Sequence, residues 1–128
     1  AGEGTEIQTV TLYKLMKAFE KIVQKLQERN NKPVHTVVHY NYTMEDVREY
    51  ILSTSSTHKT LTFEKIFDVC IDRIHAIFIF LNLLELVQQK YLQMIVGEGR
   101  NNFIIEWNEN REEEVLAPLM DESFSTLN

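Results

Sequence analysis

The chain has little of what several functional classes require. It contains one cysteine, Cys70, so no disulfide can form within its 128 residues. That usage fits a reducing compartment. Its longest apolar run, Ala76 to Val87, is interrupted by Asn82 and Glu85 and is too short and too polar to span a bilayer. No signal-peptide pattern opens the chain, and the Ala1-Gly2-Glu3-Gly4 start without Met reads as a fragment cut upstream from a longer protein. Neither a G-x-x-x-x-G-K-[ST] nor a G-x-G-x-x-G loop is present, and no Cys/His set has zinc spacing. Of the four histidines, His35 and His39 fall on an extended stretch, His58 in a polar loop and His75 in a first helical turn. No convergent catalytic, metal or cofactor constellation emerges, so no enzyme and no cofactor are expected.

What is present is a composition that can build a core, 44% hydrophobic and 25% charged, with charge unevenly placed. Six acids against Arg111 alone give residues 108–128 a net of −5, whereas the whole chain carries −6. Thr11 to Lys32 holds Lys14, Lys17, Lys21, Lys25, Arg29 and Lys32 against Glu20 and Glu28, a net of +4.

Three regions follow. Residues 1–42 read as an extended leader to residue 9, an amphipathic helix and an extended segment. Thr11 is placed to cap that helix, and Leu12, Leu15, Met16, Phe19, Ile22, Val23 and Leu26 fall on one face. Asn30-Asn31 before Pro33 ends it, and Val34 to Tyr42 alternates as a strand does. Residues 43–107 form the main domain. Thr43 and Asp46 are spaced as a capping box for a helix that the run Ser53 to Thr57 ends as a polar loop. Lys59 to Leu61 can be a short strand, Thr62 caps the next helix, and Asp72 caps one running to about Lys90. Two alternating segments, Tyr91–Val96 and Phe103–Trp107, flank a Gly/Asn-rich tip and read as a hairpin. Residues 108–128 read as a flexible acidic tail, with a weak helix around Glu112 to Met120 that Pro118 breaks.

The expected fold is therefore mainly α with a small β-hairpin: a winged helix-turn-helix domain preceded by an amphipathic helix. Such domains often read DNA, and a winged-helix transcription regulator is the alternative reading. Duplex capture needs cations on the last helix and wing. Here the last helix offers Asp72, Arg73, Glu85 and Lys90, which cancel, and the wing tip sets Arg100 against Glu98. Ten of the twelve residues from Ala76 to Val87 are apolar. Ile77, Phe80, Leu81, Leu84 and Val87 form the strongest arc and are assigned to the core. Ile79, Leu83 and Leu86 lie beside it, either covered by the N-terminal helix, the hairpin or a second copy of the chain, or open as candidates for a protein-docking strip. Ile104, on what reads as an edge strand, is a further contact candidate.

Three phrases then carry a resemblance. Thr11-Leu12-Tyr13-Lys14-Leu15-Met16-Lys17-Ala18-Phe19, Tyr42-Thr43-Met44-Glu45-Asp46 and Phe80-Leu81-Asn82-Leu83-Leu84-Glu85-Leu86-Val87 stand in the order found in segregation and condensation protein A, the bacterial kleisin family. The Gly97 to Phe103 wing is also similar. The resemblance spans about Thr11 to Trp107 and implies a subunit without catalysis. It implies a winged helix that docks on an SMC ATPase head and a middle region gripped by a dimer of segregation and condensation protein B. DNA would be reached only indirectly through the complex, with no membrane partner. Chromosome condensation and segregation in the cytoplasm, at the nucleoid, would be the setting.

Overall fold

A computed structural model describes residues 2–29, 42–97 and 102–117, with side chains from Thr11 onward. The elements in chain order are α1 (Gly2–Arg29), α2 (Met44–His58), β1 (Thr60–Thr62), α3 (Phe63–Ile66), α4 (Arg73–Gln88), β2 (Leu92–Val96) and β3 (Phe103–Trp107). The fold is mainly α with a small antiparallel sheet, as the patterning implies.

Local signals explain where the central helices begin. The Thr43 hydroxyl accepts from Asp46 N–H at 3.0 Å while Asp46 Oδ2 accepts from Thr43 N–H at 3.1 Å, a complete capping box. Thr62 caps α3 through Lys65 N–H, and the Asp72 carboxylate caps α4 through His75 N–H at 2.8 Å. From these starts α2 buries Val47 and Ile51, each contributing roughly 1.5–3 kcal/mol. The core continues through Leu61, Phe63, Ile66, Phe67, Ile79, Leu83, Leu86, Leu92, Phe103 and Ile105.

Three boundaries differ from expectation. The helix α1 starts at Gly2, so the extended leader to residue 9 is helical and Thr11 is an interior residue rather than a cap. No proline interrupts Gly2 to Arg29. The polar run Ser53 to Thr57 continues α2 as far as His58. Ser55 faces the core there, and the Ser56 hydroxyl donates to the Ser53 carbonyl. The stop comes instead from Lys59, whose φ of 66° turns the chain while its N–H donates to the Ser55 carbonyl at 2.8 Å. Third, the segment after Trp107 is not free at its start. Asn108 Nδ2 donates to the Lys90 carbonyl at 2.7 Å, Arg111 Nε donates to the Gln89 carbonyl at 3.0 Å, and the Arg111 guanidinium lies 3.7 Å from the Tyr91 ring centre. Residues 111–117 are helical, within the stretch where a weak helix is expected. The strand expected over Val34 to Tyr42 and the histidines His35 and His39 lie outside the described residues, apart from Tyr42.

The sheet order is β1-β3-β2, all antiparallel. The short strand β1 joins the hairpin, so β3 is central and not the edge strand expected. Gly97 closes the hairpin, its N–H donating to the Asn102 carbonyl, and a Cβ there would sit 3.0 Å from that oxygen.

Candidate protein-interaction surfaces

Helix α4 is enclosed by three neighbours: α2, β2 and α1. Helix α1 runs antiparallel to it. Val23 and Gln27 border a cleft with Arg73 and Ile77, while Phe19 stacks on Phe80 at 4.4 Å between ring centres further along. Phe19 also meets Phe67 at 5.7 Å, so α1 lies across both α3 and α4. Polar ties hold it: Lys25 Nζ reaches Glu64 at 2.8 Å, and an Arg29 guanidinium nitrogen donates to the Cys70 carbonyl at 2.8 Å.

This enclosure reverses the expected assignment of α4's apolar residues. Ile79, Leu83 and Leu86, the candidate docking strip, are each 0% exposed and belong to the core. Leu81, assigned to the core, is 48% exposed, and Ile77, Leu84 and Val87 are only partly covered. Phe80 alone of that arc is buried. When almost every position of a helix is apolar, its periodicity no longer shows which side faces in. The position of the neighbours does. Asn82, buried on the same helix, is satisfied by donating to the Phe78 carbonyl at 2.8 Å.

The remaining candidate, Ile104, is half-buried on the outer face of the sheet. The register sets it between Ile95 of β2 and Thr62 of β1. Ile95 is 38% exposed, and Val96 ends the same edge strand still more exposed. Ile95 and Ile104 thus make an apolar cross-strand pair facing outward, beside the side of β2 that no described strand pairs with.

Leu12 and Met16 of α1 were expected on the buried face and are 44% and 49% exposed. They lie beyond Phe19, toward the part of α4 that carries Leu81. Helical spacing marks both residues as apolar neighbours of Leu15, but the seven-residue stripe is wider than the contact α1 makes.

Among the described residues, groups that could do chemistry do not converge. Cys70 is buried, and burial above all pushes its thiol up to about 12, so it is unreactive at neutral pH. Burial lowers the His75 pKa below its usual value, partly opposed by Asp72. The His75 ring stacks on Tyr42 at 4.2 Å, and the Tyr42 hydroxyl donates to Asp72 Oδ1 at 2.9 Å. These groups fasten the entry of the chain into α2 against the start of α4. Among the described residues no group of three or more His, Cys, Asp and Glu could hold a metal ion. No described helix is long and apolar enough to cross a membrane.

Comparison with known proteins supplies the rest. Segregation and condensation protein A of Streptococcus sanguinis is 32% identical over 91 residues, 71% of this chain and 39% of that protein. The proteins of the same name from Clostridium botulinum and Clostridium acetobutylicum are each 26% identical, over 84% and 78% of this chain. The chain is a relative of part of segregation and condensation protein A. It spans less than half the length of these relatives, 39–44%. No family model and no solved structure matches it. The similarity agrees with the three phrases in α1, at the start of α2 and in α4.

Proposed function

We propose that the chain is a non-catalytic kleisin piece of a bacterial condensin-like complex, and that residues 43–107 are a winged helix docking on an SMC ATPase head. The observation that carries this reading is the similarity to segregation and condensation protein A over 71% or more of the chain. The order α2, β1, α3, α4, β2, β3, with β1 completing the sheet, supports the winged-helix reading. The outward Ile95–Ile104 pair and the open side of β2 form the docking surface in this proposal. An apolar centre beside an unpaired strand edge is what a partner sheet or helix can cover. The upstream part would be gripped by a dimer of segregation and condensation protein B. The setting would be the cytoplasm, at the nucleoid.

The geometry favours a protein over DNA as the partner of the winged helix. The exposed side of α4 carries Leu81 with only Arg73 and Glu85 as charges, and α1 covers its flank. A groove reader needs that side free and basic. Co-purification with an SMC head tests the reading. Ile95→Asp is expected to lose the head while its far-UV circular dichroism and melting stay near those of the parent. A folded Ile95→Asp and a folded Ile104→Asp that both retain the head would remove this surface from the account.

A further inference from the structure

The proposed docking surface leaves α1's charge unexplained. The chain as a whole is acidic, yet from Thr11 to Arg29 five bases face only Glu20 and Glu28. Lys14, Lys17, Lys21 and Lys25 follow one another at steps of three, four and four residues, so they line a single face of the helix. At 1.5 Å per residue that row is about 16 Å long. All four are exposed.

The fold neutralises only part of this row. Lys25 is committed to Glu64, with Asp68 also near it and Arg29, and Arg29 is committed to the Cys70 carbonyl. Lys17 lies 3.5 Å from Glu20 in a half-exposed pair, which is worth little in water. Lys14 and Lys21 make no ion pair among the described residues. Lys21 stands with Lys25 and Thr62 at the mouth of a cleft of about 270 Å³ between α1 and the start of β3. The positive charge that remains therefore sits on Lys14, Lys17 and Lys21, with an opening beside the last of them.

The chemistry of the row decides what it fits. From Lys14 onward the residues sharing that face are Lys17, Lys21, Gln24, Lys25 and Glu28, and Tyr13, 62% exposed, borders it with Lys17 Nζ 5.5 Å from its ring centre. The other exposed apolar residues of α1, Leu12 and Met16, occupy the opposite shoulder, so one aromatic ring at the end of the row is all the apolar surface it offers. A protein interface depends on a buried apolar or aromatic anchor at its centre. A phosphate backbone needs none, because release of condensed counterions supplies the affinity.

We infer that the lysine row of α1 contacts the phosphate backbone of duplex DNA without reading its sequence. The contact lies on a different face from the Ile95–Ile104 surface and leaves α4 uninvolved. Three lysines neutralising three phosphates give a log–log salt slope of about −3, so the isolated chain binds weakly and loses DNA between about 50 and 200 mM salt. This contact adds a direct route to DNA beside the indirect one through the complex.

Fluorescence anisotropy with a labelled random duplex tests it. The parent chain is expected to bind at about 50 mM salt with a slope of about −2 to −3. Lys14→Gln with Lys21→Gln should weaken binding about tenfold or more and flatten the slope, while Arg73→Gln on α4 changes binding less than about twofold. These positions are exposed, and circular dichroism confirms that each variant is folded. Absence of binding at low salt overturns the inference, as does a lysine double variant that binds like the parent or an Arg73→Gln variant that loses DNA. Capture of poly-glutamate without capture of duplex assigns the row to an acidic protein and overturns it too.

Discussion

Leu83→Ala against Leu81→Ala is the sharpest test of how α4 is oriented. The two residues are both leucines, two positions apart on one helix, so helix propensity is lost equally at each. Leu83 is 0% exposed in the core, whereas Leu81 is 48% exposed. Truncating a fully buried leucine removes its transfer free energy and leaves a cavity, costing about 3 kcal/mol within a range of 2–5. Truncating Leu81 removes about half of one side chain's burial and leaves no enclosed void, costing about 1 kcal/mol. In a domain of this size each kcal/mol lowers Tm by about 4–8 °C, so the expected falls are about 12–24 °C for Leu83→Ala and about 4–8 °C for Leu81→Ala. Thermal and urea unfolding followed by circular dichroism at 222 nm read both. Equal shifts, or a larger one at Leu81, would refute the packing of α4 between α2, β2 and α1. The same contrast means that Leu83→Asp unfolds the domain and cannot report on docking.

Other outcomes follow from single contacts. His75 has a pKa lowered by burial from 6.5, so the folded state disfavours its proton. Stability is then full above the unfolded value and falls as pH drops through 6.5 toward the folded value. His75→Gln should flatten urea midpoints between pH 7 and pH 5, and an unchanged slope would show that another group titrates. The fully buried Ser55 Oγ has no hydrogen-bond partner among the described residues, so Ser55→Ala should raise stability by about 1 kcal/mol, read as a higher urea midpoint. Lys59 holds φ 66° and ψ −40°, a conformation costly for a residue with a Cβ. Lys59→Gly is expected to gain about 1 kcal/mol despite losing an exposed ion pair to Glu109, and a lower melting point would contradict that.

How much of the fold can be read from the residues depends on whether the deciding interaction is local. The Thr43–Asp46 box, the Thr62 and Asp72 caps and the hairpin strands are each fixed by side chains within a few positions, and all appear where spacing puts them. The start of α1 was misplaced because Thr11 has the side chain of a cap but not its position. Ser53 to Thr57 looked like a loop because the burial of Ser55 depends on what α2 packs against. The inner side of α4 is not legible for the same reason, since only α1 and the sheet distinguish Leu83 from Leu81. Centrality of β3 depends on β1, three residues that join the sheet from far along the chain. Of the four contact candidates only Ile104 keeps access to a partner. Its neighbour Ile95 was missed because cross-strand register, not sequence spacing, brings the two together.

Calorimetric titration of the chain into an SMC ATPase head tests the central claim most directly. The account predicts saturable binding that survives raised salt and is lost in a folded Ile95→Asp variant. No binding to the head, together with tight capture of duplex DNA that persists when Lys14 and Lys21 are replaced, would contradict it.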